Sequence, residues 1–322
     1  MITAYLPTDK GLQPHAVTDL ILPEGAVWFD IVDITADEEK ALEARFCIDV
    51  PTRSEMRSIE SSSRLYREDG ALFLTATMLL KTETIAPEIT EVTFILVNQH
   101  LLTVRYAEPW SFRIFLQRAP KCGVHKASFA FLALLETTIE RLADMLEMIS
   151  LQLEHVSQKT FRRPGSKGAE LDLQKTLINL GTSGNILSKV RESLVDKNRM
   201  VIFIGQSHDN RLLCPESRIQ LEAIHRDLHS LSDQASFIST KISFLLDAVL
   251  GLINIEQNRT IKIFSVVAVL FMPPTLIASI YGMNFGAGMP ELTWSYGYEY
   301  ALGLMLVSAL LSLWYFKRQR WM

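Results

Sequence analysis

The 322 residues contain only three cysteines, Cys47, Cys122 and Cys214, and these share no close spacing. That excludes a zinc or dithiol motif and marks them as reduced cytosolic thiols rather than a disulfide framework. None of the 15 glycines builds a phosphate-cradling loop, and no Gly-x-Ser-x-Gly elbow occurs. With no constellation of nucleophile, base and oxyanion donors, an enzyme is the least favoured class. A formal net charge of −4 without a basic stripe gives no case for nucleic acid. Met1 to Lys10 has no apolar core behind early positive charge, so no signal peptide is expected there. The most telling absence comes late: two long stretches carry no charge at all.

These stretches run from Ile263 to Tyr281 and from Tyr300 to Phe316. At about 1.5 Å per helical residue, each crosses or nearly crosses a hydrocarbon layer of roughly 30 Å. Backbone in lipid must satisfy its own hydrogen bonds, so both are predicted to be helices. Arg259 and Lys262 precede the pair, and Lys317, Arg318 and Arg320 follow it. The positive-inside rule then places both termini in the cytoplasm and the connection, with Glu291, on the far side. The expectation is an inner-membrane protein that crosses the bilayer twice and keeps a large cytoplasmic part.

The rest of the chain divides by period. Residues 1–123 read as an α/β domain. Strands are expected near Val27–Ile31, Ala71–Leu80 and Val92–Val97, and Leu101–Arg105 should pair with the strand before it. A helix is expected over Asp37–Phe46, with Thr35 as N-cap and Glu38 closing the capping box. Residues 124–215 read as a helical hairpin. Leu135, Ile139, Leu142, Leu146, Ile149, Leu153 and Val156 alternate steps of four and three, as in a coiled-coil seam. Arg162 to Ser166 breaks that helix, and its partner is expected from about Ala169 to Val195. After Pro215 the alternation resumes through Ile224, Leu228, Leu231, Ala235, Ile238, Ile242, Leu245, Val249 and Leu252 without a turn signal. One helix of about 100 Å is therefore predicted from Glu216 to Tyr281. Its parts are a stalk over 216–262 and a first span over 263–281. A loop over 282–299, a second span over 300–316 and a basic tail over 317–322 follow.

Two spans cannot enclose a pore, so transport requires an oligomer with the first span at the axis. Met272 and Thr275 share a face of that span, and Ser279 lies one turn beyond Thr275. Thr275 offers a polar ring, whereas Phe264 and Met272 offer apolar constrictions. Asp247 and Asn258, eleven residues apart, fall on a similar face of the stalk. The bland alternative for Thr275 is a hydroxyl bonded to its own helix, and for Asn284 a helix cap. Neither span holds a central charge, which argues against a proton-coupled carrier. His225 and His229, one turn apart, read as a polar flank before a chelating pair.

Tyr281-Gly282-Met283-Asn284-Phe285 between the spans, Met289-Pro290-Glu291-Leu292 after it, and the preceding run from Ile253 to Asn258 resemble the CorA family of magnesium channels. The chain is most similar to the proteobacterial magnesium and cobalt branch. The match is strong over roughly the last 70 residues and weaker elsewhere, and Gly286-Ala287-Gly288 departs from the pattern. The resemblance implies an α+β membrane protein: an N-terminal α/β cytoplasmic domain, long coiled-coil stalk helices and two C-terminal transmembrane helices, assembled as a homopentameric channel. It assigns pore positions to Asn258, Met272, Thr275 and the Gly282-Met283-Asn284 mouth, and favours Glu291 for cation capture.

The resemblance further implies Mg2+ as both transported and regulatory ion, with Co2+, and also nickel, as further passengers. In the family, carboxylates between neighbouring subunits hold the channel closed with bound magnesium. Asp227 and Asp233 are the regulatory candidates here, among the acids Glu222, Asp69, Glu88 and Glu91; a solvated helix face is the plainer reading of each. Two rivals remain. One is the zinc-transporting branch, against which Met283 counts. The other is a membrane-anchored coiled-coil regulator, which leaves the polar face of the first span unexplained.

Overall fold

The computed structural model describes residues 1–9, 11–58, 60–84, 86–118, 126–161, 172–206, 214–283 and 294–319. It divides into two compact units, Met1–Leu246 and Asp247–Met322.

The first unit is built on a seven-stranded sheet of order β2-β1-β3-β7-β6-β5-β4. Its strands are β1 Ile2–Thr8, β2 Gly11–Ala16, β3 Trp28–Val32, β4 Leu65–Glu68, β5 Ala71–Leu80, β6 Glu88–Val97 and β7 His100–Arg105. All neighbours are antiparallel except β3 and β7. The predicted pairing of Leu101–Arg105 with the preceding strand is present, Ile95 opposite Leu102. The β1–β2 hairpin was not expected. Pro7, Pro14 and the polar tips of these strands hide the period-two pattern that the inner strands show plainly.

Both sheet faces are covered, which is why β5 reads as an almost unbroken apolar run. On one face, α1 (Ala36–Phe46) and α2 (Arg53–Met56) bury Leu42, Phe46 and Met56 against Phe29, Ile31, Phe73 and Ile95. Thr35 caps α1 and Glu38 closes the box, as the spacing predicts. A short α3 (Ser61–Arg64) leads into β4. On the opposite face, α4 (Trp110–Arg118) and α5 (Ala127–Thr160) bring Phe112, Phe115 and Phe131 onto Trp28 and Phe94.

The seam of α5 is buried from Leu135 through Leu153. Its partner α6 runs from Leu173 to Gly205, ten residues beyond the expected end at Val195. Met200, Val201 and Ile204 stay buried and carry the helix on. The break over Arg162–Ser166 lies outside the described residues. α7 is one helix from Pro215 to Tyr281, and within the first unit its seam buries Ile224, Leu228, Ala235, Ile238 and Leu245. Lys241 pairs with Glu154, and Phe244 stacks on Phe161, tying α7 to α5.

α6 also closes an edge of the sheet. β4 pairs with β5 only as far as Leu74, so among the described residues no strand lies beside the outer edge of β5 from Thr75 onward. The backbone N–H of Thr77 donates to Asp196 Oδ2 at 3.3 Å, and its carbonyl accepts from Ser193 Oγ at 2.9 Å and Lys197 Nζ at 2.7 Å. Side chains of α6 replace the missing strand there, covering an edge that otherwise invites pairing with another chain.

The second unit contains the remainder of α7 and α8 (Gly297–Arg318).

Candidate cation pathway

Among the described residues, two helices are long and apolar enough to cross a membrane by length and composition, α7 and α8, with mean hydropathies of 2.2 and 1.5 over their apolar stretches. Phe264, Phe271, Met272 and Leu276 on α7, and Leu306, Leu310 and Leu311 on α8, are all exposed in the single chain. So much continuous apolar surface marks a face meant for lipid or for other copies, not for water.

α7 positions the candidate side chains by its period alone. Asp247, Asn258, Met272, Thr275 and Ser279 are separated by 11, 14, 3 and 4 residues, and each step returns to one face of a helix. Phe264 lies two turns before Met272 on a neighbouring row. Asp247, Asn258, Phe264, Met272 and Thr275 are all exposed, so among the described residues of the second unit none buries these positions. Ser265, midway between Asn258 and Met272, belongs to the same face. Reading the sequence missed it because serine in an apolar run looks like an ordinary small residue. The signal was its seven-residue spacing to Asn258 and Met272.

The hydroxyls are oriented by the helix. Thr275 Oγ1 donates to the Phe271 carbonyl at 2.7 Å, and Ser265 Oγ donates to the Ile261 carbonyl at 2.8 Å. The bland and functional readings of Thr275 are therefore compatible. With its proton committed to the helix, the oxygen presents only lone pairs outward. That polarity suits a hydrated cation, whose water protons seek acceptors. Pro273 and Pro274 lie inside α7. Neither supplies an amide proton, so the carbonyls of Val269 and Leu270 lose their usual donors four residues on.

The helix ends where the motif begins. Gly282 N–H donates to the Ala278 carbonyl at 2.9 Å, and Met283 N–H to the Ile280 carbonyl at 3.2 Å. A Cβ on Gly282 would sit 3.1 Å from the Ala278 oxygen, a tight approach that only glycine avoids. Met283 is exposed. Asn284 and Glu291 lie outside the described residues.

The acidic candidates do not converge. Asp227 is exposed, and the exposed Asp233 sits 3.2 Å from His229 Nδ1. Glu88 pairs with Lys81, and Glu91 lies 3.9 Å from Arg57. Among the described residues, no cluster of three or more His, Cys, Asp or Glu side chains is arranged to hold a metal. His225 and His229 are not joined as a chelating pair: His229 faces Asp233, and His225 Nδ1 is buried without a partner.

The family model for CorA-like Mg2+ transporter proteins matches residues 23–318. The chain belongs to the CorA family. It is 37% identical over 325 residues to the magnesium transport protein CorA of Escherichia coli K12, covering all of both chains. It is 36% identical over 303 residues to the CorA of Pasteurella multocida Pm70, covering 92% of each. Among solved structures, the complete CorA magnesium transporter of Methanocaldococcus jannaschii matches with a TM-score of 0.74 at 20% identity, over 100% of this chain and 99% of that one. That likeness establishes the CorA fold, an N-terminal α/β unit followed by two candidate membrane helices. The family match covers both apolar helices and the α/β unit from residue 23 onward, leaving out only β1 and β2 among its strands, although the α/β sequence by itself resembles CorA weakly.

Proposed function

We propose that this protein is a magnesium channel, working as a homopentamer in the cell inner membrane with both chain ends in the cytoplasm. The observation that carries the reading is the polar face of α7, uncharged throughout its apolar span and leading to Gly282-Met283-Asn284, in a chain that aligns end to end with a CorA magnesium transport protein.

In this reading α7 lines the axis. Asn284 carbonyl oxygens ring the outer mouth and touch the ion's hydration water. Magnesium gives up its water reluctantly, so neutral acceptors suit it better than a stripping cage. Thr275 and Ser265 continue the acceptor path, while Met272 and Phe264 form constrictions that close by dewetting. Asn258 and Asp247 receive the ion on the cytoplasmic side, and Glu291 gathers cations outside. No side chain relays protons, so the driving force is the ion's own gradient and the membrane potential. Two charges crossing 100 mV gain about 4.6 kcal/mol. Cobalt and nickel, similar in size and hydration, follow the same path. Internal magnesium, held by acids such as Asp227 and Asp233 facing a neighbouring copy, favours the closed state.

The test is influx into liposomes that contain only this protein, with magnesium, cobalt, nickel or zinc outside. Magnesium influx is expected to rise with an inside-negative potential and to vanish in Asn284→Ala while the assembly stays intact. Zinc flux without magnesium flux, or wild-type flux in the assembled variant, would overturn the reading.

A further inference from the structure

Lys197 is fully buried in α6, with its Nζ 2.7 Å from the Thr77 carbonyl, 2.7 Å from Ser193 Oγ and 3.5 Å from the Ser193 carbonyl. None of these partners is a carboxylate. Asp196, the neighbouring acid, is engaged elsewhere: it accepts from Thr77 Oγ1 and the Thr77 N–H, and pairs with Arg64 Nη2 at 3.0 Å. Ser193 Oγ itself donates to the Thr77 carbonyl at 2.9 Å, so the amine has two good acceptors and one distant one. An uncharged amine, with two N–H bonds, fits that set; an ammonium has a third proton and a charge left over. On the same two helices, Arg64 Nε of α3 and Asn198 Oδ1 of α6 are buried without partners among the described residues.

The charged surroundings are sparse. β5 has no ionisable residue. α6 contributes Asp196 and α3 contributes Arg64, and these two oppose each other. Across the sheet, Glu91 of β6 stands opposite Thr77 and lies 3.9 Å from Arg57 of α2. Among the described residues, no further acid is seen paired with the Lys197 amine at this edge.

We propose that Lys197 is a proton-binding clasp, whose uncharged amine holds α6 on the open edge of β5 and whose protonation weakens that hold. The proton comes from the surrounding water and is bound more tightly once α6 is released and the side chain is solvated. Burial lowers the docked amine from an ordinary 10.5 to about 7; Asp196 opposes that shift and Arg64 adds to it. The docked form therefore binds fewer protons than the released form between about pH 7 and 10, and docking tightens by up to about tenfold per pH unit across that window. Below pH 7 both forms are protonated, and docking stays at its weakest.

Amide exchange of the full chain in lipid nanodiscs tests this at pH 6, 7, 8 and 9, with rates converted to protection factors. Protection over residues 193–204 and 75–80 is expected to stay flat from pH 6 to 7 and then rise by up to about tenfold per unit. Residues of α1 should show no such slope. Lys197→Met, which keeps the stem without a proton site, should remove the slope. Carbon-13 at the lysine Cε should show one resonance titrating near pH 7 in the wild type, a readout that does not depend on the variant folding. A flat wild-type profile, an unchanged slope in Lys197→Met, or no lysine titrating between pH 6 and 9 would each overturn the proposal. Exchange is read without an ion gradient, so the result stands apart from the transport reading.

Discussion

Asp30 and Arg105 sit almost wholly inside the first unit, at 3% and 5% exposure. The parallel pairing of β3 and β7 brings them together across 75 residues of chain. Arg105 Nε and Nη2 donate to the two Asp30 oxygens at 2.9 and 2.8 Å, and Thr103 Oγ1 donates to Oδ1 at 2.8 Å. Trp28 Nε1 completes the chain by donating to Thr103 Oγ1 at 3.0 Å. Burial opposes the Arg105 charge, but its hydrogen bonds and proximity to Asp30 more than offset that and hold it protonated. Asp30→Ala leaves a buried guanidinium unpaired and should destabilise the unit by about 3–5 kcal/mol. Replacing both residues with apolar ones should cost less than this single change. Unfolding curves of the two variants check this, and equal losses would mean the pair acts only by packing. Neither residue stands out in the sequence, because a charge inside an apolar strand looks like a surface position until its partner strand is known.

Elements were more legible than single contacts. The capping box at Thr35, the strands β5 and β7, and the uninterrupted run of α7 follow from local spacing, since each depends on residues within a few positions. The end of α6 was not legible: nothing local in the sequence carries the helix past Val195 or marks Ser193, Asp196 and Lys197 as partners of β5, and only the docked edge of β5 gives them partners. Orientation of the two apolar helices is a further element-scale property. The basic residues before α7's span and at the end of α8 predict that the Gly-Met-Asn connection faces outward. Ala287→Cys should react with an impermeant thiol reagent added to intact cells. Reaction only after the membrane is opened would reverse the orientation.

At the scale of the assembled molecule, the exposed apolar faces of α7 and α8 and the unclustered acids are both properties of one copy. In the proposed assembly, a regulatory magnesium site drawn from Asp227 and Asp233 would take its further acids from a neighbouring copy, since none joins them among the described residues of one chain. Such a site switches the channel only if it binds the ion better in the closed state. Protease resistance of the first unit should rise, and flux should fall, as internal magnesium increases through the millimolar range. If neither responds, these acids are simply solvated.

What the sequence by itself determined is what depends on neighbours along the chain: the apolar spans, the helical period of α5 and α7, the capping box, and the Gly282-Met283-Asn284 signature that carried the family. Tertiary structure alone decided which distant residues meet. It placed Asp30 on Arg105, turned α6 against the unpaired edge of β5, and left Lys197 with carbonyl and hydroxyl partners but no carboxylate. The physical reason is that burial and pairing of polar groups depend on strand order and helix docking, and a pattern confined to one segment does not encode those.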